Sequence, residues 1–348
     1  MRPLPLVFAG SAEELRLHSR RDLLINIVLG GLYTSIARRH SARYLESRTT
    51  LDGTPLAHVR VAKSRWPAIL LAVAFVALRL ANEFGEGPPL PVLVIAGVLL
   101  VPWLWGTVTA RTLAAIRWRE LPLAFTARWS EIYAASWPLF VLGGAWAVVE
   151  PKVAAVADTA NVDWRVYAGT AVAALLAFPL LAALAFNWRR LRFTRTRIGD
   201  FELTWPARFG AWLRLWSVTG LAVLVTAIAP VLLLRHALFG TISLQDLLRV
   251  DDARAGAALA VYAASLALIV LLASPARAWY EAQAFVLTWN GLRAGNQLRV
   301  ECALDVPAFV RMRSADTWRT LRSFGAWRSH AVVNAWQAKL AGLRVSVA

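Results

Sequence analysis

The chain has a single cysteine, Cys302, in 348 residues. That excludes an internal disulfide and any cysteine-based zinc site within one copy. Histidine is nearly as scarce: His18, His40, His58, His236 and His330 stand singly, without a His-Glu-x-x-His motif or a pair at helical spacing, so no metal centre is expected. The sequence also lacks a Gly-x-Ser-x-Gly elbow and a Gly-x-x-x-x-Gly-Lys-Ser/Thr loop, which removes the two commonest signatures of serine hydrolases and nucleotide binders. Nothing near the N-terminus has the apolar core of a signal peptide, because Glu13, Glu14 and Arg16 follow Phe8 closely, so the N-terminus is expected to be kept. No residue set names a reaction. Neither an enzyme nor a bound cofactor is expected.

Charge is sparse as well, at 17% of residues, and what takes its place is apolar: 58% of the chain is hydrophobic and the mean hydropathy is +0.51. A bilayer core about 30 Å thick needs about 20 apolar residues per helix. Six runs approach that length, at 66–81, 90–109, 132–149, 166–187, 212–234 and 256–273, each without an ionised side chain near its middle. They are apolar all round, whereas core helices of a soluble protein keep a polar face. A proton relay would place acids at mid-membrane, and these runs hold none. The fold class expected is an α-helical polytopic membrane protein. It would have about six transmembrane helices in three pairs plus a short N-terminal re-entrant or spanning helix at 23–37, with repeated short cytoplasmic β-hairpins, as a single integral domain over 1–348.

Basic residues outnumber acidic ones by 38 to 21, a net charge of +17, but they are spread between apolar runs and form no single basic tail. Nucleic acid is therefore not an expected partner. Arginine concentrates at 38–65, 111–128, 189–214 and from 277 onward, while the alternate connections carry Glu83, Glu86, Glu150, Asp158, Asp163, Asp246, Asp251 and Asp252. The positive-inside rule puts the arginine-rich segments in the cytoplasm. Beside headgroups each arginine attracts anionic phospholipid by about 1 kcal/mol.

A module recurs in those basic segments: a helix end rich in Arg and Trp or Tyr, a polar stretch, a turn and a brief apolar strand. Hairpins are expected near 45–60, 116–126, 194–205, 285–302 and 339–347, with Gly53, Gly199 and Gly295 at turns, where glycine allows positive φ. Isolated two-stranded hairpins are marginal in water, which favours a shared sheet over separate hairpins. Residues 11–44 read as a helical pair, and 306–340 as its counterpart. There Trp318, Leu321, Phe324 and Trp327 recur at helical spacing among Arg319, Arg322 and Arg328, a pattern that suits an interfacial helix or a soluble helix covering the sheet. Glu131, Glu202, Glu281 and Glu301 have arginines close by in sequence, so ordinary ion pairing is expected of them.

The stretch Leu29-Gly30-Gly31-Leu32-Tyr33 through Arg38, Arg39, Arg43 and Tyr44, followed by Thr50-Leu51-Asp52-Gly53, resembles the signature of the YjgN family of bacterial inner-membrane proteins of unknown function. That signature runs Thr-Leu-Gly-Ile-Tyr, one residue, Pro-Trp-Ala, then spaced arginines ending in Arg-Tyr. Here Ser35 and Ile36 stand in place of Pro-Trp, while Phe8-Ala9-Gly10 and Pro102-Trp103 add to the likeness. The resemblance implies a multipass protein of the bacterial inner membrane and carries over no activity.

The function expected is therefore non-enzymatic: a basic cytoplasmic hairpin layer contacting anionic lipid or a protein partner, which includes a second copy of the chain. Arg38, Arg39, Arg43, Arg189, Arg190 and Arg192 are the expected headgroup ligands. The alternative is a transporter or channel for an apolar or amphiphilic small molecule, gated at the segments holding Pro102, Pro179 and Pro230.

Overall fold

The computed structural model describes residues 2–28, 34–55, 57–58, 90–118, 121–157, 164–239, 252–295 and 298–347. In chain order its elements begin with β1 (Arg2–Leu4), β2 (Leu6–Phe8), α1 (Ala12–Val28), α2 (Thr34–Ser47), β3 (Thr49–Leu51), β4 (Thr54–Pro55) and β5 (Ala57–His58). Next come α3 (Leu90–Ala114), β6 (Ile116–Trp118), β7 (Leu121–Phe125), α4 (Trp129–Ala135), α5 (Trp137–Ala157), α6 (Trp164–Thr194), β8 (Thr196–Ile198) and β9 (Phe201–Thr204). Helix α7 (Phe209–Val223) passes through a π-helical turn, Leu224–Ile228, into α8 (Ala229–Phe239). The rest is α9 (Asp252–Leu272), α10 (Ser274–Trp289), β10 (Arg293–Ala294), β11 (Leu298–Cys302), α11 (Val306–Arg322), α12 (Arg328–Ala341) and β12 (Leu343–Val347). These elements form two compact units, one of Met1–Pro55, Gly210–Leu292 and Leu298–Ala348, the other of Leu56–Phe209 and Arg293–Gln297.

The second unit is built on a six-stranded antiparallel sheet, ordered β5-β6-β7-β8-β9-β10. Its registers include Leu123 opposite Ile198, Arg197 opposite Glu202 and Thr204 opposite Arg293. The β8–β9 turn closes through Gly199, at φ 58°, which an L side chain rarely adopts. Strand alternation buries Leu203 while Glu202 faces out to pair with Arg197. Helices α3, α5 and α6 pack beside one another, with stacked Trp105 and Trp188 rings 5.0 Å apart.

In the first unit the chain's ends meet: β1 pairs with β12, which also pairs with β11, and Val345 lies opposite both Leu4 and Val300. A separate sheet, β2-β3-β4, turns through Asp52 and Gly53, both at positive φ. Leu15 of α1, Leu45 of α2 and Val333 of α12 form one core cluster, and Ala282, Phe309 and Ala335 form another where α10, α11 and α12 meet.

This architecture corrects the expected fold class. Among the described residues one continuous helical stretch, Phe209–Leu234 with 26 residues, is long and apolar enough to cross a bilayer. A second crossing arises only if Ala260–Leu272 and Ser274–Trp289 are joined across their 45° bend. One reason is that an apolar run need not be one helix, although 90–109 lies whole within α3 and 166–187 within α6. The run at 132–149 breaks at Ser136, where two α6 side chains meet the interrupted backbone: Asn187 Nδ2 donates to the Ala135 carbonyl at 3.1 Å and Trp188 Nε1 to Ser136 Oγ at 2.8 Å. The run at 256–273 forms α9 and ends, as expected, at Ala273, ahead of Pro275, beyond which α10 continues at a 45° bend. The run at 66–81 and the Gly30-Gly31 break lie outside the described residues. The hairpin strands pair onward from one hairpin to the next into the favoured shared sheet, and its extent makes the second unit as much a sheet as a helical bundle.

Candidate functional site

Helix α1 presents Leu15, Ser19 and Asp22 along one face at i, i+4 and i+7. Helix α2 answers with Ala37, Ser41, Tyr44 and Leu45, and α12 with Ser329, Val332, Val333 and Trp336. Apolar contact fills one end of this three-helix junction. At the other end the polar side chains of Arg16, Ser19, Asp22, Ser41, Arg328 and Ser329 share with Ala37, Ala326 and Val332 the lining of a cleft of about 210 Å³.

Its wall is a hydrogen-bonded set. Asp22 is buried, with one carboxylate oxygen, Oδ2, 2.8 Å from Nδ1 of the half-exposed His40. The hydroxyls of Ser19 and Ser329 lie 3.2 Å apart, Ser41 donates to the Ala37 carbonyl at 3.1 Å, and Arg16 and Arg328 line the same space. At the apolar end the Tyr44 hydroxyl accepts from the Ser11 amide at 2.9 Å and lies 2.8 Å from Glu14 Oε2. Burial first, and that link to Glu14 second, push the Tyr44 phenol above its ordinary value of 10.0. Trp336 Nε1 donates to the buried Thr49 Oγ1 at 3.0 Å and so ties α12 to the strand after α2.

Two other charged clusters have structural partners. Glu281 of α10 pairs with Lys339 at 2.6 Å and Arg313 at 3.2 Å, and Arg313 also donates to the Ala331 carbonyl, which joins α10, α11 and α12. Asp316, 1% exposed, accepts from Trp327 Nε1 at 2.8 Å and Asn334 Nδ2 at 3.3 Å. Of the four glutamates expected to pair with arginines close by in sequence, Glu202 pairs with Arg197 and Glu301 with Arg299, while Glu131 and Glu281 pair with the distant Arg195 and Arg313. Among the described residues no group of three metal-ligating side chains converges.

The six arginines singled out from the sequence fall in two places. Arg38, Arg39 and Arg43 are all exposed on α2, Arg39 and Arg43 opposite Ala37, Ser41 and Leu45 and Arg38 at the margin of that stripe. Arg189, Arg190 and Arg192 lie in the last turns of α6, with Arg190 and Arg192 exposed and Arg189 half-buried. Sequence reasoning passed over Asp22, His40, Ser19 and Ser329. The signal for the first was the polar i, i+4, i+7 stripe of α1; for His40 there was none, since its partner is 18 residues away on another helix.

One family model matches the chain over residues 3–348, described as bacterial protein of unknown function (DUF898), the family commonly called YjgN. The chain belongs to the YjgN family. No curated protein and no solved structure matches this YjgN-family chain. The family description states no activity, so the three-helix cleft and the exposed arginines stand on their own geometry.

Proposed function

We propose that this YjgN-family protein is a non-enzymatic component of the bacterial inner membrane whose basic, water-facing helix surfaces hold anionic phospholipid. The carrying observation is the stretch Phe209–Leu234, whose most apolar 18 residues have a mean hydropathy of 2.3 and are only 11% buried. Leu221, Leu224, Val225, Leu232 and Leu233 are all exposed, Leu233 at 69%. A soluble fold buries such a surface; hydrocarbon accepts it without cost. Twenty-six residues rise about 39 Å at roughly 1.5 Å each, enough for a core of about 30 Å. Arg38, Arg39 and Arg43, displayed together on α2, suit phosphate groups at the boundary, since guanidinium forms paired hydrogen bonds to phosphate oxygens.

The test uses bacterial membranes containing the full chain. After an alkaline carbonate wash the protein is expected to remain in the membrane pellet; its appearance in the supernatant overturns the integral assignment. In native mass spectrometry of detergent-extracted protein, phosphatidylglycerol is expected to be retained over phosphatidylcholine, and the triple variant R38Q/R39Q/R43Q to lose that preference. Equal retention of the two lipids overturns the headgroup role.

A further inference from the structure

The cleft between α1, α2 and α12 opens beside a feature of another kind. Helix α11 ends at Arg322 and the chain turns through residues 323–327 into α12; Gly325 and Ala326 of that turn line the cleft. Immediately before them, Phe324 is 97% exposed with φ at 50°, a left-handed backbone that is costly for an aromatic residue. The turn is held there by the Gly325 amide donating to the Thr320 carbonyl at 2.8 Å and the Phe324 amide to that of Leu321 at 3.1 Å. Trp318 and Leu321, also exposed, lie within two turns of helix of it, flanked by exposed Arg319 and Arg322. Aromatic and aliphatic side chains held out beside arginines are the composition of a membrane-interface anchor.

Inside the cleft the chemistry has two signs. Arg16 and Arg328 bring two guanidinium groups to the lining, and Asp22 a carboxylate whose Oδ2 is engaged by His40. Ser19, Ser41 and Ser329 supply hydroxyls between them. The volume of about 210 Å³ is below the roughly 300–1,000 Å³ of a pocket for a drug-sized ligand, which confines the occupant to a small group. We infer that this cleft binds a phosphate ester carrying an amine, the phosphate on Arg16 and Arg328 and the ammonium on Asp22. Its source is a phospholipid headgroup of the ethanolamine type, presented while Phe324, Trp318 and Leu321 sit among the acyl chains.

This inference rests on the membrane reading above, yet its binding step is measured without a membrane. Full-length protein in detergent is titrated calorimetrically with free phosphoethanolamine and with short-chain phosphatidylethanolamine and phosphatidylglycerol. Both amine-bearing compounds are expected to bind, more tightly than phosphatidylglycerol. R16Q/R328Q should weaken both about tenfold, as for loss of a charge-assisted contact. D22N, which keeps an oxygen for His40, should remove the preference for the amine without weakening phosphatidylglycerol. F324S should leave free phosphoethanolamine unchanged and reduce retention of phosphatidylethanolamine in nanodiscs. Phosphatidylglycerol binding as well as phosphatidylethanolamine, or D22N leaving the preference intact, overturns the inference even where the carbonate wash upholds membrane insertion. Binding of the free compound with no effect of F324S in nanodiscs identifies the source as a soluble phosphate ester and overturns the lipid assignment.

Discussion

Glu131 shows how much one side chain can hold in place. It sits at the third position of α4, where its carboxylate accepts the Arg128 amide at 2.9 Å and pairs with Arg195 at the end of α6. The amide bond first, then the Arg195 guanidinium, draw its pKa below the ordinary 4.5. A carboxyl with a depressed folded value stabilises the native state above its unfolded value, and that contribution is lost as pH falls through the folded one. Thermal melting in detergent is therefore expected to weaken below about pH 4.5. Glu131→Gln should melt lower than the parent at neutral pH and show a shallower decline in the acid range. Parallel curves for the two proteins would remove Glu131 as a contributor. The pairing was legible in the sequence only in part: Glu202 and Glu301 pair with arginines close by, whereas Glu131 and Glu281 reach Arg195 and Arg313, 64 and 32 residues away. The Asp22–His40 contact was not, since it depends on the angle at which α1 and α2 pack, and no spacing in one dimension encodes that.

Between elements, close approach matters more than turn conformation. Gly342 joins α12 to β12 at φ −82°, which any residue can adopt. Yet a Cβ placed there would lie 2.9 Å from Leu304 Cα and 3.1 Å from its amide nitrogen, while the Ala303 amide donates to the Gly342 carbonyl at 2.8 Å. Backbone cannot swing aside as a flexible side chain can. Gly342→Ala should therefore cost about 1–3 kcal/mol, the range for overpacking, read as a lower melting temperature. Gly53 provides the contrast: its φ is 72° and the space around it is open, so Gly53→Ala should cost about 1 kcal/mol through backbone strain alone. Equal losses at the two sites would refute the distinction. Sequence reading found the turn glycines because hairpin chemistry is local. It expected a whole span at 132–149, where the helix breaks at Ser136, because a hydropathy run records the solvent a segment prefers and carries no record of its direction.

At the scale of the whole molecule the question is which solvent surrounds Phe209–Leu234. Leu224 begins the π-helical turn near the middle of that stretch, and its side chain is half exposed, as is that of Val225 beside it. If water bathes this face, Leu224→Arg replaces an exposed apolar group by a charged one, and soluble yield should hold or rise. If hydrocarbon bathes it, the guanidinium at mid-bilayer costs about 2.5–3.5 kcal/mol on insertion scales. Membrane-inserted protein should then fall severalfold, while Leu224→Ala, which removes bulk without adding charge, should stay close to the parent. We expect the second pattern, measured as the carbonate-resistant fraction of each variant expressed at equal level. The two environments predict opposite signs for the same substitution, so the experiment decides between them even if every variant loses some stability for reasons of packing.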